Sequence, residues 1–171
     1  MTNRYHAQPY NIDAEGFFFE TYEEYLTKSY DLADSFGQPV EEFILQFIDG
    51  DKLAAYLFRT LEISSGPTLK TWFEEIESLK SHDLLAACYL ADDGYALEDI
   101  LDTHLDDTCL FEGSALDYAH DHIDSMGTLD DLPKSLRYYF DYEAFARDLV
   151  LGGDITEWTS PNNTHYVVTL P

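Results

Sequence analysis

The sequence is short of positive charge, and over residues 81 to 133 it has none: 14 carboxylates share those 53 positions with no lysine and no arginine. A face that only needs water can mix signs. Like charges at i,i+4 cost a helix about 0.2 to 0.5 kcal/mol per pair, and interspersed lysines would turn that cost into a gain. The whole chain carries 9 Lys plus Arg against 34 Asp plus Glu, a net charge of −25 over 171 residues. Such a field repels nucleic acid and attracts basic surfaces, including those other proteins use to hold DNA. Direct nucleic-acid binding is therefore not expected, and a basic protein partner is.

Other absences narrow the field further. There are only two cysteines, Cys88 and Cys109, and no CxxC, which argues for free thiols in a reducing compartment. No stretch approaches 18 uninterrupted apolar residues, and “MTNRYHAQPYNIDAEG” has no basic region leading into an apolar run. A soluble, cytoplasmic bacterial protein without a membrane partner is expected. There is no GxSxG, no Gly-rich phosphate loop and no HExxH, and cations that could stabilise an oxyanion or a phosphate transition state are scarce. No enzymatic activity, cofactor or metal is expected.

What is present says that the chain folds. Hydrophobic residues make up 45% and aromatics 15%, so high charge does not come with the low hydrophobicity of a disordered chain. The charge is also uneven. Residues 1 to 80 hold 15 acids and 6 bases, 134 to 150 hold three of each, and 151 to 171 carry only Asp154 and Glu157. Adaptation to high salt would acidify the surface throughout, and this pattern does not.

Periodicity predicts an α+β chain. “GFFFETYEEYLTKSYDL” (16 to 32) reads as a strand followed by a helix capped by Thr21, with Glu24 as its capping-box partner. Phe43, Leu45 and Phe47 alternate as a strand, and residues 51 to 63 return to helical spacing. Helices are predicted over 68–79 and 82–91, a third over “ALEDILDTHLDD” (96 to 107), and a fourth over 114–127 ended by Gly127. One or two more follow between 132 and 153, with Asp141 as an N-cap, before a hairpin around Pro161. The expected modules are 1–63 (small α/β), 64–110 (helical and acidic) and 111–171 (helices plus a β-hairpin).

The third and fourth predicted helices carry the candidate chemistry. On a 100° wheel Glu98, Asp99, Asp102 and Asp106 share one arc, while Leu97, Ile100, Leu101 and Leu105 occupy a largely separate one. At about 1.5 Å per residue, twelve residues span roughly 18 Å, and five carboxylates give about one charge per 3.6 Å, close to the roughly 3.4 Å of one DNA strand. Asp117, Asp121 and Asp124 repeat the design at i, i+4, i+7. Twelve of the 14 acids between 81 and 133 are Asp, whose short side chain is better fixed by the backbone than that of Glu. Asp117, His120 and Asp124 in “DYAHDHID” have spacings that could ligate a metal, but a di-iron bundle would want a second such pair. An exposed His120 beside an acidic stripe is the simpler reading. Tyr138, Tyr139, Phe140, Tyr142 and Phe145 lie in the nearly neutral C-terminal quarter, where two such anionic molecules could approach; they are the candidate dimer contact.

At “LRYYFDYEAFARDLVLGGDITEW” (136 to 158) the sequence resembles the C-terminal signature of the ArdA-type antirestriction proteins, acidic DNA mimics encoded on mobile elements. “FEGSALDYAHDHIDSMGTLDDLP” (111 to 133) resembles the segment that precedes it, and “EEFILQFIDGD” (41 to 51) matches the family's N-terminal pattern more loosely. The opening “RYHAQPYNIDAEGFFFE” is shorter than the family's and lacks the Trp of its Gly-x-Trp strand. The resemblance implies an elongated, modular α+β homodimer joined through its C-terminal part. It also implies that the acidic surface fills the DNA-binding groove of the methyltransferase and specificity core of type I restriction-modification enzymes. The matching segment supplies Glu112, Asp117, Asp121, Asp124, Asp130 and Asp131; Asp92, Asp93, Glu98, Asp99, Asp102, Asp106 and Asp107 join them on charge and spacing. The alternative is an acidic structural or adaptor protein that binds an unrelated basic partner.

Overall fold

The computed structural model describes residues 2–169 and divides into two compact units, one reaching to Leu105 and one starting at Asp106. The fold is α+β, with two three-stranded antiparallel sheets, one in each unit. Among the described residues no helix is long and apolar enough to cross a membrane.

The first unit contains β1 (Arg4–Pro9), β2 (Phe17–Phe19), α1 (Tyr22–Asp31), β3 (Phe43–Asp49), α2 (Lys52–Thr60), α3 (Pro67–Glu74), a 3₁₀ turn (Ile76–Ser78), α4 (Ser81–Asp92) and α5 (Leu97–Asp99). Its strand order is β2-β1-β3. Tyr5, Ala7 and Phe19 are buried, and Tyr5 is the hub: its ring lies 5.1 to 5.4 Å from those of Phe47, Phe58, Phe73 and Phe19. The Tyr5 hydroxyl accepts from Trp72 Nε1 at 2.8 Å and donates to the Glu77 carboxylate. Burial, followed by the bond to Glu77, pushes the phenol well above its ordinary range.

Local signals explain the helices around this sheet. Thr21 caps α1 by accepting from Glu24 N at 3.1 Å, and the Glu24 carboxylate reaches back to the N–H of Glu20 rather than that of Thr21. Asp51 caps α2 through Leu53 N and Ala54 N, at 2.9 and 3.0 Å. The turn between β3 and α2 requires Gly50, whose φ is +139° and whose missing Cβ would meet Asn3 Oδ1 at 2.2 Å. Buried Leu53, Leu57 and Phe58 hold α2 inward, each contributing about 1.5 to 3 kcal/mol. The alanine-rich α4 is buried along Ala86–Ala91, and its Cys88 Sγ–H donates to Leu53 C=O at 3.7 Å.

The second unit contains β4 (Cys109–Glu112), α6 (Ala115–Met126), α7 (Lys134–Arg137), α8 (Tyr142–Gly152), β5 (Thr156–Thr159) and β6 (His165–Thr169), with strand order β4-β6-β5. Ala115, Ala119 and Ala146 let α6 and α8 approach closely over Ile155 and Val167, with Phe111, Phe145 and Leu149 packed around them. Asp141 caps α8 by accepting from Ala144 N at 2.9 Å. Left-handed glycines, Gly127 and Gly153, end α6 and α8.

The sequence expectation lacks β1, the helix expected over 68–79 ends at Glu74 before a 3₁₀ turn, and two further features differ. The predicted helix over 96–107 is α-helical only at Leu97–Asp99. It continues as a π turn, Ile100–His104, in which Leu105 N–H reaches Ile100 C=O at 3.0 Å. The predicted hairpin gains a third strand, because β4 pairs with β6 from Cys109–Thr169 to Glu112–Tyr166.

Candidate partner-binding surface

Seven of the thirteen nominated carboxylates, Asp92 to Asp107, reach solvent by three routes, and Asp130 and Asp131 lie in the loop after α6. Asp92 and Asp93 stand at the end of α4, where the chain turns through Gly94. Glu98 and Asp99 lie in α5 and Asp102 in the π turn, whose apolar side is held by Leu97 and Ile100, both buried. A π turn holds more residues than an α turn, so a 100° wheel misplaces everything beyond Ile100. Asp106 and Asp107 belong to the turn that opens the second unit, and the even line of charge predicted over twelve helical residues is therefore confined to Glu98, Asp99 and Asp102. All thirteen carboxylates are exposed.

The acids of the second unit are arranged more regularly. Glu112 is the last residue of β4, opposite Tyr166, whose phenol is raised by burial and then by the Glu112 charge. Asp121 and Asp124 extend from α6, whose inner side is Ala115, Ala119 and Ile123. Asp117 begins the same stripe but serves the helix as well. Ser114 Oγ accepts from Asp117 N at 3.2 Å, and Asp117 Oδ2 accepts from Ser114 N at 2.9 Å and Ser114 Oγ at 2.6 Å. These bonds from Ser114 hold the Asp117 carboxyl below the usual range.

Two other nominated acids have internal partners. Asp92 Oδ1 accepts from the Tyr56 hydroxyl at 2.6 Å. Arg137 folds over the loop after α6: Nη1 reaches Asp130 Oδ1 at 3.1 Å, Nη2 the Asp130 carbonyl at 2.7 Å, and Nε the Leu132 carbonyl at 3.1 Å. Asp130 is thereby in a salt bridge with Arg137. The S-x-x-D spacing at 114–117 could have announced the cap. Nothing local announces Arg137.

The five candidate dimer residues separate. Tyr138 and Tyr139, 89% and 84% exposed, project from the segment after α7. Phe140 instead packs on Tyr142 (4.8 Å between ring centroids) and Phe145 (5.7 Å), and Phe145 joins the buried cluster of the unit. His120 stacks on Tyr142 at 3.9 Å, which ties α6 to α8.

A family model for the antirestriction protein ArdA matches residues 3–161. The chain belongs to the ArdA antirestriction family. The match takes in both units, including the opening strands whose sequence departs from the family pattern, and it covers all thirteen carboxylates and the exposed tyrosines. No curated protein sequence matches the chain.

Proposed function

We propose that the chain is a DNA-mimic inhibitor of type I restriction-modification enzymes, and that it works by occupying the DNA-binding groove of their methyltransferase and specificity core. The observation that carries this reading is one-sided charge. Thirteen exposed carboxylates lie between Asp92 and Asp131, and the segment from 81 to 133 contains no lysine or arginine to neutralise its own neighbours. A surface of that kind offers a DNA-binding groove the counter-charge it is built to receive. Inhibition then needs no chemistry of its own and no bound nucleic acid. Two copies associate through the neutral C-terminal quarter, with Tyr138 and Tyr139 as the exposed contacts.

The test is a titration into a type I enzyme supplied with duplex DNA and ATP. Cleavage should fall as inhibitor is added and return as more duplex is added, because both compete for one groove. Full cleavage and methylation at large molar excess of inhibitor would overturn the reading. Inhibition that added duplex cannot relieve would overturn the mimicry and leave a basic partner surface elsewhere.

A further inference from the structure

The geometry points to the open edge of β3 as a docking site for an extended, apolar segment of a partner protein that carries basic residues at both ends. The strand order β2-β1-β3 leaves β3 at the margin of its sheet, and the opposite margin, β2, is only three residues long. Edge strands in soluble proteins are usually blunted by lysine, proline, charge or brevity, because an open edge recruits other chains. The seven residues FILQFID of β3 have no proline or lysine, Asp49 at the end is the only charge, and the register shift between Phe47 and Asp49 is confined to that same end.

The hydrogen-bond phase identifies the groups on offer. Tyr10 N–H donates to Glu42 C=O at 3.1 Å, and Pro9, opposite Phe43, has no N–H to give. In an antiparallel ladder this makes Ile44 and Gln46 the residues that bond to β1, and it turns the N–H and C=O of Phe43, Leu45 and Phe47 toward the open edge. A groove of about 410 Å³ runs beside that edge, walled by Leu45, Phe47, Phe58 and Ile63, with Arg59 and Glu62 of opposite sign at its rim. Ile44 and Ile48, 43% and 47% exposed, extend the apolar surface onto the outer face of the strand.

Charge selects the occupant. Glu41 and Glu42 precede the strand, and Asp49 and Asp51 close it beside Arg4 and Lys52, so carboxylates stand at both ends and are uncompensated in sequence at the first. A second copy pairing through the same edge would set like charges against each other in either orientation: Glu41 near Asp49 if antiparallel, Glu41 near Glu41 if parallel. An incoming strand with an apolar centre and Lys or Arg at its ends satisfies the edge amides, the groove and both termini together. The inference does not depend on DNA mimicry, since the peptide test below involves no restriction enzyme or DNA.

The probes are labelled peptides KKVTVTVTKK and EEVTVTVTEE, titrated against the full chain by fluorescence anisotropy. The basic peptide should bind at least about tenfold more tightly than the acidic one, a difference of roughly 1.4 kcal/mol. N-methylation of one alternate set of its valine or threonine amides should abolish binding, and methylation of the other set should leave it. The amides of Leu45 and Phe47 should exchange rapidly in the free protein and become protected in the complex. Leu45→Pro, which removes an edge N–H at a position where proline is tolerated, should lose the peptide. Equal binding of the two peptides, indifference to the phase of methylation, or no binding overturns the proposal. So does self-association that Leu45→Pro abolishes, which would give the edge to a second copy.

Discussion

Replacing Asp99, Asp102, Asp106, Asp121, Asp124 and Asp131 with Asn should weaken inhibition and strengthen the fold at the same time. These six are exposed and lie outside the capping box, the Tyr56 hydrogen bond and the Arg137 clasp. An exposed ion pair is worth roughly 0.2 to 1 kcal/mol; at about 0.5 each, six lost pairs with a basic groove remove about 3 kcal/mol, or roughly 150-fold in affinity. The fold responds in the other direction. Neutralising Asp121 removes its repulsion with Asp117 at i,i+4 and with Asp124 at i,i+3, a gain of about 0.4 to 1 kcal/mol. Asn and Asp differ little in helix propensity, so no compensating loss is expected. The assays are the inhibitor concentration that halves type I cleavage and the thermal midpoint of the isolated protein. Unchanged inhibition would refute the assignment of these carboxylates to the partner surface, and a fallen midpoint would show that they hold the fold.

Other substitutions test the structure more locally. Ser114→Ala removes the cap of α6 and should cost about 1 kcal/mol in denaturant unfolding. Because Asp117 is held below the usual carboxylate range, its contribution is complete at neutral pH and is lost as pH falls through its lowered folded-state value; acid unfolding followed by circular dichroism should therefore lose that sensitivity in Asp117→Asn. Tyr5→Phe leaves Trp72 Nε1 without its acceptor and should destabilise the first unit by roughly 1 to 3 kcal/mol, read by tryptophan fluorescence in urea. Thiol titration of the native protein should count Cys109, which is exposed, and not Cys88, which is buried with its thiol pushed up to about 12; both should react in denaturant.

The parts of the fold that were legible in the sequence are those with local causes. Alternation gave away β3, and Asp141 and Gly153 bracket α8 where a cap and a stop were expected. Gly127 likewise ends α6. What depended on distant partners was hidden. β1 contains Arg4, His6, Gln8 and Pro9 and becomes a strand because β2 and β3 pair with it from either side. β4 is recruited by β6 from the far end of the chain. The π turn escaped because a wheel presumes 100° per residue, and i→i+5 bonding defeats that assumption. For the candidate surface, charge and exposure could be read from sequence. The internal duties of Asp92 and Asp130 could not, since Tyr56 and Arg137 come from other elements, whereas the S-x-x-D spacing carries that of Asp117.

Those three duties divide the acids by how freely they can drift over generations. A carboxylate whose only task is to add to a field can trade places with a neighbour, or pass from Asp to Glu and back, while the total stays level. Asp117 has less latitude, because its carboxylate closes the capping box on Ser114, a task that among charged residues only Glu could take over. Asp130 is tied to the arm of Arg137, and Asp92 to the hydroxyl of Tyr56. Among relatives these positions should change only in step with their partners, while the carboxylates between them wander and keep only their number.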